Sequence, residues 1–332
     1  VAAPSVLVVG GAGYVGAHAV RALLRAGVRV SVLDDLSTGH RALVPDGVPL
    51  HVGSVSDRAA LAGALATAEA TAVMHFAARS LVGESMQAPR RYFEENCGGA
   101  LALGAALLDA GVDKLIFSST AAVFGEPDAV PIADGAPRRP GNPYGVTKAF
   151  IEDLLEAYTA HGLSSVALRY FNAAGAEPDG SVGEHHAVET HLVPLVLDAA
   201  LGVRPHVTLF GSDYPTRDGT GLRDYVHVSD LADAHVAALA HLEGLTQPAA
   251  RRMNLGSGTG TTVREVIDTV RAVTGLPVTA NEGPRRPGDP AALVASAAGA
   301  GAWLGWRPKR GEITTIIEDA WRWHRRLRAE RI

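Results

Sequence analysis

Cysteine is nearly absent from this chain of 332 residues: Cys97 stands alone. That excludes an internal disulfide and fits a reducing, cytoplasmic compartment. Charge of one sign is not in excess either. The 30 basic and 35 acidic residues give a net charge of -5, and there is no long basic run. A nucleic-acid surface is therefore not expected. A small anionic ligand stays open, because local fields matter more than the total. No uninterrupted apolar run approaches membrane-spanning length, so no membrane association is expected. The apolar start Val6–Val9 lacks a basic flank and runs into glycines, so a signal peptide is not expected. Internal repeats are missing as well.

What is present is an ordinary globular balance, 47% apolar and 20% charged, over a length that suggests two domains or one large α/β domain with an added lobe. The first half alternates β-rich and helical runs. Strands are expected at 5–10, 29–34, 49–55, 72–78, 114–120 and 164–172. Helices are expected at 14–27, around "RAALAGALAT", along "YFEENCGGALALGAALLDAG" and at 143–161. Such alternation predicts an α/β fold with a doubly wound, parallel Rossmann sheet over residues 1–172. Beyond Asn172 the alternation fades into Gly- and Asp-rich loops (175–184, 211–221) and a Pro/Arg-rich loop (284–290). Residues 173–332 are thus expected to form a smaller C-terminal α/β domain that supplies ligand loops. The helix at about 228–244 is expected to return to the first domain.

"GGAGYVG" (10–16) follows a predicted strand and opens a predicted helix. In that setting glycines let a backbone approach a pyrophosphate, and the helix N-terminus favours the anion. Two registers fit, Gly11-x-Gly13-x-x-Gly16 and Gly10-x-x-Gly13-x-x-Gly16; a tight strand–helix turn is the bland alternative. Asp34 ends the second strand, where an acidic side chain accepts from a ribose 2′-OH and repels a 2′-phosphate, which favours NAD over NADP. Asp35 reads as a loop or capping residue. In "NPYGVTK" (142–148), Asn142 and Pro143 read as an N-cap and first helical residue. Tyr144 and Lys148 lie i, i+4 and share a face. An ammonium and a helix N-terminus would both stabilise a phenolate, whose ordinary pKa of about 10 is too high for a base at neutrality. By spacing alone the pair is decorative. The nucleotide-binding context and a strand ending "FSST" (117–120) favour proton transfer.

At these residues the chain resembles the extended short-chain dehydrogenase/reductase family, and within it the UDP-glucose (UDP-galactose) 4-epimerases. The resembling stretches run nearly end to end: "GGAGYVGAH", "LDDLSTGH", "MHFAARSLVGES", "FSSTAAVFGE", "NPYGVTK", "LRYFNAAGA", "HLVP", "LFGSDYPTRDGTGLRDYVHVSDLADAH", "NLGSG" and "RRPGDP". The resemblance implies tightly bound NAD and a UDP-sugar substrate. Tyr144 would be the base on the sugar 4-OH, Lys148 would hold the nicotinamide ribose and lower the tyrosine pKa, and Thr120 would bridge to the 4-oxygen. The 4-ketosugar would rotate and take the hydride back on its other face. Cofactor contacts are implied for Gly10, Gly13, Tyr14, Val15, Gly16, Asp34, Thr38, Gly39, Phe76, Ala77, Ala78, Asn96, Ser118 and Tyr170. Substrate contacts are implied for Asn172, His191, Leu192, Phe210, Arg223, Arg286 and Asp289, with the two arginines on the diphosphate. A homodimer, paired through two helices of the first domain, is implied as well.

The chain departs from that pattern in places. Ser54 stands where many relatives carry an adenine-binding Asp, and Asp57 lies too far along to replace it. Ser80, with Arg79 beside it, stands where a cofactor-reaching lysine is known. Phe124 replaces a usual tyrosine, removing a hydroxyl near the sugar. Leu293 occupies the position that helps set tolerance of an N-acetyl group, which leaves UDP-N-acetylglucosamine as an alternative substrate, and the C6 group is open as well, which leaves UDP-glucuronic acid. A 4,6-dehydratase is disfavoured, because Ala121 and Ala122 replace its proton-transferring Asp-Glu pair. A plain dehydrogenase or reductase, or a non-catalytic nucleotide sensor, is a weaker rival. "GEHHAVETH" (183–191) is not expected to bind metal, since His186 and His191 suit no shared helical face and no cysteine is near. His75 and His227 read as structural.

Overall fold

The computed structural model describes residues 4–286 and 289–330. Among these, seven parallel strands form the main sheet, in the spatial order Ala250–Leu255, Ser164–Tyr170, Lys114–Thr120, Ala72–His75, Ser5–Val9, Arg29–Asp34, Leu50–Val52. The order reverses between Ser5–Val9 and Ala72–His75. In doubly wound sheets that switch point, at the carboxyl ends of the strands, is where ligands bind.

Alternate residues of each strand feed opposite faces. Val6 and Val8 pack with Val20, Leu23 and Leu231 on one side, while Leu7 and Val9 pack with Leu61, Leu103 and Ile151 on the other. This double burial is why the strands read as unbroken apolar runs rather than alternating ones. Leu7, Leu23 and Leu61 are wholly buried, each contributing about 1.5–3 kcal/mol. The first face is covered by the helices Tyr14–Arg25 and Val228–Glu243. The second is covered by Arg58–Ala68, Gly98–Ala110 and Pro143–Tyr158.

Several boundaries differ from expectation. The strand expected at 72–78 stops at His75, because Phe76 N and Ala77 N both donate to Val9 O (2.8 and 3.1 Å) and the chain peels away. The third strand is only Leu50–Val52. The strand expected at 164–172 ends at Tyr170; Asn172–Ala174 instead pairs with Tyr225–His227 in a separate ladder. The long helix begins at Pro89 and carries a π-turn at Phe93–Cys97 before Gly98–Ala110, and such insertions re-aim side chains.

The division at residue 172 is also not a clean one. Ala250–Leu255 pairs along Ser164–Tyr170 and adds the seventh strand. It escapes a pattern reading because Arg251 and Arg252 interrupt its apolar character, as suits an edge strand. The remainder of the second half builds a smaller lobe. Its core lies among the helices Leu192–Ala200, Val263–Thr274 and Ile313–Glu330, with Val207–Phe210 paired to Ala280–Gly283. No described helix is long and apolar enough to cross a membrane.

Candidate active site

The chain leaves its first strand at Gly10, whose φ of +83° lies in the region that favours glycine. A Cβ there would stand 2.4 Å from Ala77 N, and one on Gly16 would stand 2.1 Å from Gly10 O. Gly13 is different, because its Cβ would meet nothing nearer than Gly10 O at 3.5 Å. Of the two registers, Gly10-x-x-Gly13-x-x-Gly16 therefore makes the turn and the close helix–strand approach, with Gly11 packed on Val32. The bare Cα of Gly13 serves no packing need of the protein and leaves a cradle for a ligand. Gly13 is the N-cap of Tyr14–Arg25, with no side-chain cap and no acidic residue in the first turn. Amides at that helix end, including those of Tyr14 and Val15, suit a pyrophosphate.

Asp34 is buried at the neighbouring strand end, where its Oδ2 accepts from Ala12 N and its Oδ1 from Leu36 N, both at 2.9 Å. Burial raises its pKa and the two amides oppose the rise. Each carboxylate oxygen keeps a lone pair for a further donor, as a ribose hydroxyl would be. Gly39 approaches so closely that its Cβ would lie 2.9 Å from Asp34 Oδ1, and Thr38 is exposed beside it. Phe76, Ala77 and Ala78 form the half-buried wall across the switch point. These residues fit a dinucleotide.

The helix Pro143–Tyr158 begins at Asn142, whose Oδ1 accepts from Gly145 N at 2.8 Å, with Pro143 at the first position. Its start is pressed against the turn after the fifth strand: a Cβ on Gly145 would lie 2.4 Å from Ala122 O. This contact brings Tyr144 to the end of Lys114–Thr120, beside the Thr120 hydroxyl. Burial pushes the phenol up to about 12, opposed by that hydroxyl. One turn on, Lys148 is 2% exposed and its Nζ donates to Ser118 O at 2.8 Å. The same ammonium stands 4.7 Å from the Phe117 ring centre and 5.8 Å from that of Tyr144. Burial lowers its pKa to about 7, against the pull of the Glu152 carboxylate. Ser118 Oγ is hydrogen-bonded to Tyr170 OH. Tyr144, Lys148, Thr120, Ser118 and Tyr170 thus gather at one strand end, beside the switch point. A proton acceptor, a cation and a hydroxyl at one spot can move a proton to or from a substrate hydroxyl.

Other expected site residues have different surroundings. Asn96 sits in the π-turn and is held by the protein: it accepts from Arg79 N (2.8 Å) and donates to Arg79 O (3.0 Å) and Thr147 Oγ1 (3.1 Å). It clamps the wall loop to the catalytic helix. Beside Ser80, Arg79 Nε donates to Glu95 Oε2 at 2.6 Å. Asp57 caps Arg58–Ala68 through Ala59 N and Ala60 N, while Ser54 accepts from Ser56 N. Phe124 is 1% exposed and lies under the Arg169 guanidinium at 5.1 Å, in the core rather than at an open cleft. His75 stacks on Phe117, and His227 caps Val228–Glu243 while meeting Asp319, so both are structural.

In the second lobe, Arg223 Nη2 donates to Asp289 Oδ1 at 2.5 Å, and these two expected ligand residues pair with each other. Arg286 lies 4.0 Å over the Phe210 ring and is exposed; among the described residues no carboxylate pairs with it. Pro287 and Gly288 of "RRPGDP" lie outside the described residues. Asn172 opens the short ladder with Tyr225–His227. His191 caps the helix that Leu192 begins, and its imidazole turns to Glu184.

Sequence reasoning missed Glu152. Its side chain is fully buried one turn past Lys148, and it accepts from Ser119 Oγ (2.6 Å) and from Arg169 Nε and Nη2 (2.8 and 2.6 Å). Arg138 and Arg252 reach it as well. The available signal was an acidic residue on the same i, i+4 row as Tyr144 and Lys148.

The fold is shared with known proteins. A family described as "NAD dependent epimerase/dehydratase family" matches residues 6–256. UDP-glucose 4-epimerase of Lacticaseibacillus casei is 47% identical over 321 residues, 96% of either chain. The crystal structure of UDP-glucose 4-epimerase from Brucella ovis in complex with NAD is 42% identical, with a TM-score of 0.93 over 96% of this chain and 98% of that one. The enzyme of that name from Bifidobacterium longum, solved in complex with NAD+ and UDP, is 35% identical, with a TM-score of 0.91 over 97% and 98% of the two chains. The match of family, length and fold together with the Tyr144–Lys148 site is decisive, and the chain belongs to the NAD dependent epimerase/dehydratase family.

Proposed function

We propose that this protein is an NAD-dependent 4-epimerase that interconverts UDP-glucose and UDP-galactose. The observation that carries the reading is the convergence of Tyr144, Thr120 and Lys148 at one strand end, next to a dinucleotide cradle. The names and bound ligands of the relatives support it. Gly10, Gly13, Gly16 and the first amides of Tyr14–Arg25 would hold the NAD pyrophosphate, Asp34 its adenosine ribose, and Lys148 its nicotinamide ribose. Bound there, NAD supplies a hydride acceptor and, when oxidised, a positive charge.

A phenol held at about 12 is ionised in about one molecule in 100,000 at pH 7. Added positive charge beside it and the Lys148 ammonium both favour the phenolate. Tyr144 then accepts the sugar 4-OH proton as C4 is oxidised, and Thr120 holds the 4-oxygen. After the 4-ketosugar turns over in the cleft, C4 would be reduced on its other face while Tyr144 returns the proton to the 4-oxygen, giving the opposite alcohol. Arg223 and Arg286 would take the diphosphate, with Asp289 released from Arg223 toward the uridine ribose. Guanidinium forks suit that role.

The deciding assay incubates purified protein with UDP-galactose, with and without added NAD, and separates the sugars. UDP-glucose should form without net NADH. No epimer in either arm refutes the assignment.

We further infer a homodimer in the cytoplasm. Leu101 and Leu108 on Gly98–Ala110, and Val146 and Phe150 on Pro143–Tyr158, are 37–45% exposed and together offer an apolar face for a second copy. Light scattering of Leu101→Glu with Phe150→Glu should report monomers; an unchanged mass would rule out this face. The buried, free Cys97 suits a reducing compartment.

A further inference from the structure

The segment before Leu192–Ala200 holds a cluster of which the epimerase reading uses only His191. Glu184, His186, Glu189 and His191 each bring one ligand-type atom within 4.8 Å of the others. The chain here is not helical, so the five-residue spacing of the two histidines is no obstacle. It doubles back and turns both Nδ1 atoms toward Glu184 Oε1. His186 Nδ1 lies 3.2 Å from that oxygen and 3.4 Å from Glu189 Oε2, and His191 Nδ1 contacts Glu184 Oε1 too. The two rings stand 5.3 Å apart and nearly perpendicular, at 84°. His185 turns the other way and stacks on His40.

The two His186 spacings suit a tetrahedral ion, and the close His191–Glu184 contact would open to admit one. Bonds of about 2.0–2.1 Å put neighbouring ligand atoms about 3.3 Å apart. The segment is also anchored at both ends. Gly183 bridges to Ala176, Trp323 Nε1 donates to Glu184 O at 2.8 Å, and His191 caps the following helix. Glu184 is only 8% exposed, and its carboxylate meets both imidazoles, the donors that would share a metal ion with it. Two carboxylates, two neutral imidazoles and one divalent ion sum to zero charge.

We propose that Glu184, His186, Glu189 and His191 bind one divalent metal ion of the zinc class, through two imidazole Nδ1 atoms and two carboxylate oxygens. Imidazole donors select Zn2+ over Mg2+ and Ca2+, which prefer all-oxygen shells. With four protein ligands the site is closed, so its role is structural. It ties the loop to the start of Leu192–Ala200.

The test uses the tag-free holoenzyme, stripped with chelator, dialysed against Zn2+ and measured by elemental analysis and calorimetry. About one zinc per chain is expected, unaffected by millimolar Mg2+ or Ca2+. His186→Ala with Glu189→Gln should weaken binding by more than the about 10–100-fold that loss of even an outer-shell partner costs. Co2+ loaded into the wild type should show the intense visible bands of a tetrahedral centre, a readout that needs no variant to fold. Substoichiometric zinc, pale octahedral Co2+ spectra, or full binding by the double variant would each overturn the proposal. None of these readouts depends on epimerase activity.

Discussion

Lys148→Met should make the cofactor-free protein more stable near neutral pH, and the gain should shrink as pH rises. Lys148 is 2% exposed, and burial lowers its pKa from 10.5 to about 7. Between those two values the unfolded chain binds a proton that the folded chain does not, so wild-type stability rises with pH across pH 7–10.5. The full penalty of the buried ammonium is present below about pH 7 and vanishes above 10.5. At pH 7 it amounts to about 4 kcal/mol, and at pH 9 to about 2 kcal/mol. Against this, the variant loses the 2.8 Å bond from Nζ to Ser118 O, worth about 1.5–3 kcal/mol for a charged donor. Methionine matches the lysine stem in shape, so packing changes little. The net expectation is a gain of about 1–3 kcal/mol at pH 7 that falls by about 2 kcal/mol at pH 9. Urea denaturation of both proteins at the two pH values measures it. The hydrogen-bond loss largely cancels in the comparison between pH values, so that change isolates the buried charge. A difference that does not move with pH would refute the account of Lys148 as a desolvated cation. Epimerisation should be lost throughout, as expected where a strained group is kept for chemistry.

Three further outcomes follow from the same geometry. Tyr144→Phe should lower turnover by about 10²–10⁴-fold, the range for a general base, with UDP binding by calorimetry retained; undiminished turnover would remove Tyr144 from that role. Gly13→Ala should weaken NAD binding while leaving the melting temperature of the cofactor-free chain nearly unchanged, because its Cβ meets only Gly10 O at 3.5 Å; a large loss of stability would show that Gly13 serves the fold. Glu152→Gln leaves the 2% exposed Arg169 without its carboxylate and should cost about 3–5 kcal/mol, or about 4–7 °C of melting temperature for a chain of this length. Glu152→Leu with Arg169→Met should recover much of that loss in a thermal scan, and failure to do so would place the cost outside the ion pair.

How far the pattern of residues could be read depended on the range of the interaction. Ser5–Val9, Arg29–Asp34, Lys114–Thr120 and Pro143–Tyr158 were legible because local rules set them: buried apolar runs, an Asn-Pro cap, glycines after helices. Ala250–Leu255 was not, since its pairing partner lies some 85 residues earlier and its arginines disguise an edge strand. The Tyr144–Lys148 pair was visible as spacing plus context. The surroundings that set its pKa values were not, because burial is a property of the packed molecule.

The sequence by itself determined the parallel α/β framework, the glycine turn, the acidic residue at the end of the second strand, and the tyrosine and lysine on one helical face. Each of these follows from periodicity or from the backbone freedom of a few neighbouring residues. Only the tertiary structure decided which glycine register bends the chain and that Asn96 and Arg79 bond to each other. It alone buried Glu152 against Arg169 and made Glu184, His186, Glu189 and His191 converge. Those facts rest on contacts between segments distant in sequence, or on the path of an irregular loop, and no local period encodes either.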